Sequence, residues 1–191
     1  MLKLYYTTAQ GQDVLQPRSD KSLGGYRSAS LVKNDDFDNL FGEISNYTLK
    51  NSADQSQYVG LILYNDSLTD ITALNVWFEY PAKCYSKIEI AVIDLSQDAD
   101  HKYFMENIQS ITSSPVYAEF YEADGETNKV SIGDMIAGEM VGIWLKRTVL
   151  SDVADTDIAN EIVTDPTNEH RVVFVEPLKS DTIEFKMSYT E

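Results

Sequence analysis

With 191 residues, 31 acidic against 15 basic side chains and a formal net charge of −16, the chain fits one sizeable domain able to bury roughly 70% of its unfolded surface. The scattered lysines and arginines argue against a phosphate-backbone ligand, and the single Cys84 excludes an internal disulfide. No run of about 18 apolar residues exists, which excludes a membrane-spanning helix, and the opening residues Met1 to Thr8 carry no apolar signal core, so synthesis and use in a cytoplasm are expected.

Residues 1 to about 55 hold Gly11, Gly24, Gly25 and Gly42 among many Ser, Asn, Gln and Asp. Their apolar residues form islands: Leu2-Lys3-Leu4-Tyr5-Tyr6, Leu23 with Tyr26, and Leu40-Phe41 with Ile44. Such islands are too short and too far apart to build a core alone. The segment is therefore expected as an extended arm that packs on something already folded, either its own domain or a neighbouring subunit. Within it, Phe37, Leu40, Phe41 and Ile44 fall at i, i+3, i+4 and i+7, which predicts one or two helical turns.

From residue 56 to 191 the pattern predicts strands. Tyr58-Val59-Gly60-Leu61-Ile62-Leu63-Tyr64 is an apolar run closed by Asn65-Asp66-Ser67, a turn-forming cluster. Leu74, Val76, Phe78 and Tyr80 then alternate with Asn75, Trp77 and Glu79 until Pro81 removes a ladder donor. Ile88, Ile90 and Val92 mark a third strand, and Val116, Ala118 and Phe120 a fourth, closed by the turn Ala123-Asp124-Gly125-Glu126. In the fifth, Val141, Ile143, Leu145 and Val149 share one face with Arg147 while Trp144, Lys146 and Thr148 take the other, a strand with one buried face. Arg171 to Val175 and Thr182 to Tyr189 add two more, the last with Ile183, Phe185, Met187 and Tyr189 inward. Seven strands without a long amphipathic helix predict an all-β fold: a two-sheet antiparallel β-sandwich, Ig-like or jelly-roll-like, carrying the extended N-terminal arm. Two inserts, residues 96–114 and 151–169, are long for hairpins and are expected as contact loops; Tyr103, Phe104, Met105 and Ile108 suggest a short helix in the first.

The residue types that carry catalysis are sparse. A nucleophile needs a base beside it, and the histidines are His101, in an acidic loop, and His170, at the start of a strand. Gly24-Gly25 is followed by tyrosine with no lysine placed for phosphates, so it marks a turn or a close backbone approach. The acidic groups Asp94, Asp98, Asp100 and Asp152, Asp155, Asp157 offer oxygen ligands, yet neither follows the calcium-loop pattern with its central glycine and closing glutamate. No cofactor, metal or small-molecule substrate is expected. Twelve tyrosines and two tryptophans exceed the needs of the core and suit protein interfaces or sugar platforms.

Three segments together, Ser22-Leu23-Gly24-Gly25-Tyr26, Asn39-Leu40-Phe41-Gly42-Glu43-Ile44-Ser45 and Gly138 to Val149, with the strand Tyr58 to Asn65 between them, resemble virion structural proteins of tailed bacteriophages. The resemblance implies a non-enzymatic subunit of the neck, collar or tail, assembled in the host cytoplasm, in which copies form a ring and bind other virion proteins. On that reading Leu23, Gly24, Tyr26, Leu40, Phe41 and Arg147 are expected at the interface, Arg147 with a carboxylate partner in its own subunit or the next. The alternative expectation is a carbohydrate-binding sandwich using Trp77 or Trp144.

Overall fold

The computed structural model describes residues 1–33, 40–41, 54–80, 86–149 and 183–190. Among them the strands are β1 (Leu2–Thr8), β2 (Gly25–Leu31), β3 (Gln55–Asn65), β4 (Ile71–Glu79), β5 (Ser86–Ile93), β6 (Ser96–Gln97), β7 (Tyr103–Met105), β8 (Tyr121–Glu122), β9 (Val130–Met135), β10 (Met140–Val149) and β11 (Glu184–Thr190). They form two antiparallel sheets, a large one in the order β6-β7-β2-β1-β3-β10-β5-β8 and a small one in the order β11-β4-β9. The expected all-β, sandwich-like architecture is what the chain adopts.

The long ladder of β3 with β10, running from Tyr64 opposite Met140 to Gln55 opposite Val149, forms the middle of the large sheet. Period two then sorts its side chains. Val59, Leu61 and Leu63 of β3, Ile143 and Leu145 of β10, and Ile88 and Ile90 of β5 face the small sheet, where Leu74, Val76 and Phe78 of β4 and Met135 of β9 meet them. Beyond the paired strands, residues 121–125 step from the edge of one sheet to the other: the Phe78 N–H donates to the Ala123 carbonyl (2.7 Å), and the Gly125 N–H donates to the Phe78 carbonyl (2.8 Å).

The opposite face of the large sheet is buried too. Tyr58 and Ile62 of β3, Trp144 of β10 and Ala91 of β5 pack beneath Met105, Leu95, Ile108, Ala118 and Phe120 in a second apolar cluster. Residues 94–120, expected in large part as a contact loop, are thus a cover for this face. Each large apolar side chain enclosed there contributes about 1.5–3 kcal/mol. Trp144 is 1% exposed, so the strand expected to bury one face buries both, which is why its sequence reads as nearly continuously apolar.

Residues 1–31, from the segment of about 55 expected as an extended arm, contribute two strands, β1 and β2, to this sheet. β1 pairs with β3 from Leu2 opposite Asn65 to Tyr6 opposite Leu61, and β2 pairs with β1 on its other side. The islands suffice because the ladder supplies backbone bonds, and Leu2, Leu4 and Tyr6 need only add to a core built by others. The helix expected around Phe104 is instead β7, paired to β2 and β6. The strand expected at Val116 to Phe120 is replaced by a bend, with the two-residue β8 after it. On β11, Phe185 and the preceding Ile183 reach the core, but Met187, opposite Val76, and Tyr189, at the register slip between Ser188 and Thr190, are exposed. Cys84, the insert 151–169 and the strand expected at 171–175 lie outside the described residues.

Candidate functional site

The six residues expected at an interface separate into two places, each furnished with partners by the chain itself. Leu23, Gly24 and Tyr26 lie under the cover of the large sheet. The Ile108 N–H donates to the Leu23 carbonyl (2.9 Å). Gly24, at φ +89°, donates its N–H to Thr7 Oγ1 (3.0 Å), and a Cβ added to it would fall 1.8 Å from the Glu106 carbonyl oxygen. Tyr26 packs against Phe104 with ring centroids 5.8 Å apart and planes tilted by 48°, and it donates its hydroxyl to Asp98 Oδ2 (3.0 Å), a bond that raises the phenol pKa. Leu40, Phe41 and Arg147 lie on the inner face: Leu40 is buried, and the Arg147 guanidinium stands 5.3 Å from the Phe41 ring centroid. Gly24 and Leu40 are enclosed and offer a partner no side-chain surface.

Around Gly24 a buried polar knot ties three distant segments. Ser22 Oγ accepts the Thr7 N–H (2.8 Å), and Thr7 Oγ1 donates to the Gly60 carbonyl (3.1 Å), which the Ser22 hydroxyl also reaches. The Gly60 N–H donates to the Ser22 carbonyl (2.8 Å), and the Trp144 ring lies 3.1 Å from where a Cβ on Gly60 would stand. The hydroxyls of Thr7 and Ser22 are therefore occupied by one another and by backbone. Their work is to fasten the loop before β2 onto β3.

Asp98, one of the loop carboxylates considered for calcium, is also committed. Its Oδ1 accepts the Asp100 and Lys102 N–H groups, both at 2.9 Å, and Oδ2 accepts the Tyr26 hydroxyl. Donation from the Lys102 backbone is the foremost of the bonds that hold its carboxyl below the ordinary value of 3.8. Among the described residues no group of three His, Cys, Asp or Glu side chains is placed to hold a metal ion. Asp152, Asp155, Asp157 and His170 lie outside them.

Two turns present apolar side chains outward on a fixed backbone; the sequence pattern places Val116 of the first in a strand and gives Leu68 and Ile136 of the second no role. In the first, the Glu106 carboxylate accepts the N–H groups of Val116 (3.0 Å) and Tyr117 (3.2 Å), and it holds both side chains in solvent, Tyr117 at 84% exposure. The second lies where β3 crosses to β4 beside the crossing of β9 to β10. Buried Asn65 Nδ2 donates to the carbonyls of Thr69 (3.0 Å), Met135 (3.1 Å) and Ile136 (3.1 Å), so one amide staples the two turns. Their tips are Leu68, 99% exposed, and Ile136, 63% exposed. An open hollow of about 590 Å³ lies between β8 and β9, lined by Tyr121, Glu122, Thr127, Asn128, Lys129 and Ser131, with Val130.

Trp77 and Trp144, at 8% and 1% exposure, do not form a surface platform. Several of the described cations are paired locally, as in Arg27 with Asp13, Lys87 with Glu122 and Lys146 with Glu89. No family model matches this chain, and no curated protein matches it.

Proposed function

We propose that this chain is a non-enzymatic structural subunit that works through contacts with other proteins, in the form the resemblance implies: a virion protein of a tailed bacteriophage, set in a neck, collar or tail ring. One observation carries the reading. Of the segments behind the resemblance, Ser22 to Tyr26, Tyr58 to Asn65 and Gly138 to Val149 meet at Gly24, Gly60 and Trp144, so their residue types answer to a shared packing requirement, while Asn39 to Ser45 lies largely outside the described residues. With residues 1–31 held in the sheet, contacts fall to turn tips such as Val116-Tyr117 rather than to a leading strap. The chain should be found by mass spectrometry in purified particles from cells that make it, and should sediment as a discrete oligomer or bind a particle protein. Absence from particles together with a strictly monomeric, non-binding chain would overturn the assignment.

A second reading keeps the carbohydrate module but moves its site. The hollow between β8 and β9 sets half-exposed Tyr121 beside the side chains of Asn128, Lys129, Thr127 and Ser131, a stacking ring with polar groups around it. Saturation-transfer NMR with a glycan panel on the native chain and on Tyr121→Ala tests it: transfer that disappears in the variant supports a sugar site, and silence across the panel removes it.

A further inference from the structure

We propose that the end of the sandwich carrying Leu68 and Ile136 is a docking face for a protein segment that presents apolar side chains bordered by lysine or arginine. The inference rests on the protein-contact part of the reading above and not on the virion part.

The first support is the way the two tips are held. Thr69 O and Ile136 O are each within 3.1 Å of the same Asn65 nitrogen, so the turns stand side by side, within about 6 Å of each other at those carbonyls. Asn65 Oδ1 accepts the Ser67 N–H (3.2 Å), the Gly138 N–H donates to the Asn65 carbonyl (2.9 Å), and the Asn65 N–H donates to the Glu139 carbonyl (2.9 Å). A leucine almost wholly in water on a backbone so constrained gains nothing for folding. Fixed before binding, it forgoes the ordering cost that a loose loop would incur on association. A buried apolar centre with a polar rim is the anatomy of protein interfaces.

The second support is charge. Asp66 is matched by Lys3, which holds its carboxyl below the ordinary range, with the N-terminal ammonium and Arg27 adding to the effect. Three more carboxylates are fastened around the tips by neutral donors: Asp70 accepts the Ala137 N–H (2.9 Å), Glu139 the Ile136 N–H (2.7 Å) and Asp134 the Ala73 N–H (2.9 Å). These bonds fix the side chains and leave their charge in place. An apolar centre with a negative surround is complementary to an apolar segment with a positive one, and two copies of this same face repel each other.

The test selects displayed random 16-residue peptides against the full chain and maps the enriched ones by amide shifts on the isotope-labelled protein. The expected result is a family combining leucine or aromatic residues with lysine or arginine, which shifts amides at 66–70 and 134–139. Affinity should fall roughly tenfold or more in Leu68→Asp/Ile136→Asp, whose exposed sites leave the remaining spectrum native, and should weaken as salt rises. Enriched peptides without basic residues, shifts centred elsewhere such as on Val116-Tyr117, no enriched family, or concentration-dependent shifts of the same amides without peptide would each overturn the proposal. Presence or absence in particles bears on the virion assignment alone, so the two can fail separately.

Discussion

The carbonyl oxygen of Glu106 stands 1.8 Å from the point a Cβ on Gly24 would occupy, so the strand cover of the large sheet rests directly on a bare backbone. Gly24→Ala must displace that segment and also strain φ +89°. The expected loss is at least about 3 kcal/mol, read as a fall in the urea midpoint. Gly138 also has positive φ, +81°, but nothing lies within 4 Å of its missing Cβ, and Gly138→Ala should cost only about 1 kcal/mol. Equal losses at the two sites would contradict the close approach.

Removing residues 1–31 distinguishes a strap from a strand. β1 is an interior member of the large sheet, between β2 and β3. Its loss uncovers the β3 ladder and takes Tyr6 from the core. The truncated chain should be recovered aggregated or without a cooperative thermal transition, whereas a dispensable strap would leave Tm nearly unchanged.

Asn65→Leu replaces the amide that joins the two crossing turns. The Met135 carbonyl loses its donor in a buried place and the carbonyls of Thr69 and Ile136 lose theirs in partly buried ones, for an expected cost of about 2 kcal/mol. Hydrogen exchange should accelerate at 66–70 and 135–139 well before the β3–β10 ladder opens.

The acid side of the stability curve should report Asp98. Its folded-state carboxyl is depressed, chiefly by the Lys102 N–H, with the Tyr26 hydroxyl and the Asp100 N–H assisting. The unfolded chain therefore takes up a proton first as pH falls. The stabilisation is whole above the ordinary value of 3.8 and is lost as pH drops through the lower folded value. Asp98→Asn should be less stable than the native chain near neutrality and lose less of its stability on acidification, as followed by urea midpoints across that range.

The legible parts of the fold are those where a single strand carries enough apolar residues to declare itself. β3, β4, β5 and β10 follow from Leu61, Val76, Ile90 and Ile143 and their neighbours at period two. β1 and β2 look like an arm in the sequence because Leu2, Leu4 and Tyr6 are few, and backbone pairing with β3 leaves no mark in side-chain pattern. Trp144 fell on the strand face read as outward, since the residues that cover it, Leu95, Met105 and Ile108, are dispersed in an irregular segment. The contact candidates chosen from the sequence were partly those the chain turns inward, Gly24 and Leu40. The exposed tips were missed because a lone Leu68 in a turn-forming cluster resembles ordinary turn sequence until Asn65 is seen to bind across to Ile136.

The position of β3 between β1 and β10 has a consequence during synthesis. Residues 2–8 and 55–65 leave the ribosome early, but residues 140–149, which complete the ladder, follow only after some further 75 to 85 have been added, a delay on the order of ten seconds. Through that interval the nascent β1–β3 pair offers Ile62, Leu63 and its unpaired amides to whatever strand is nearest, including that of the next polypeptide on the same message.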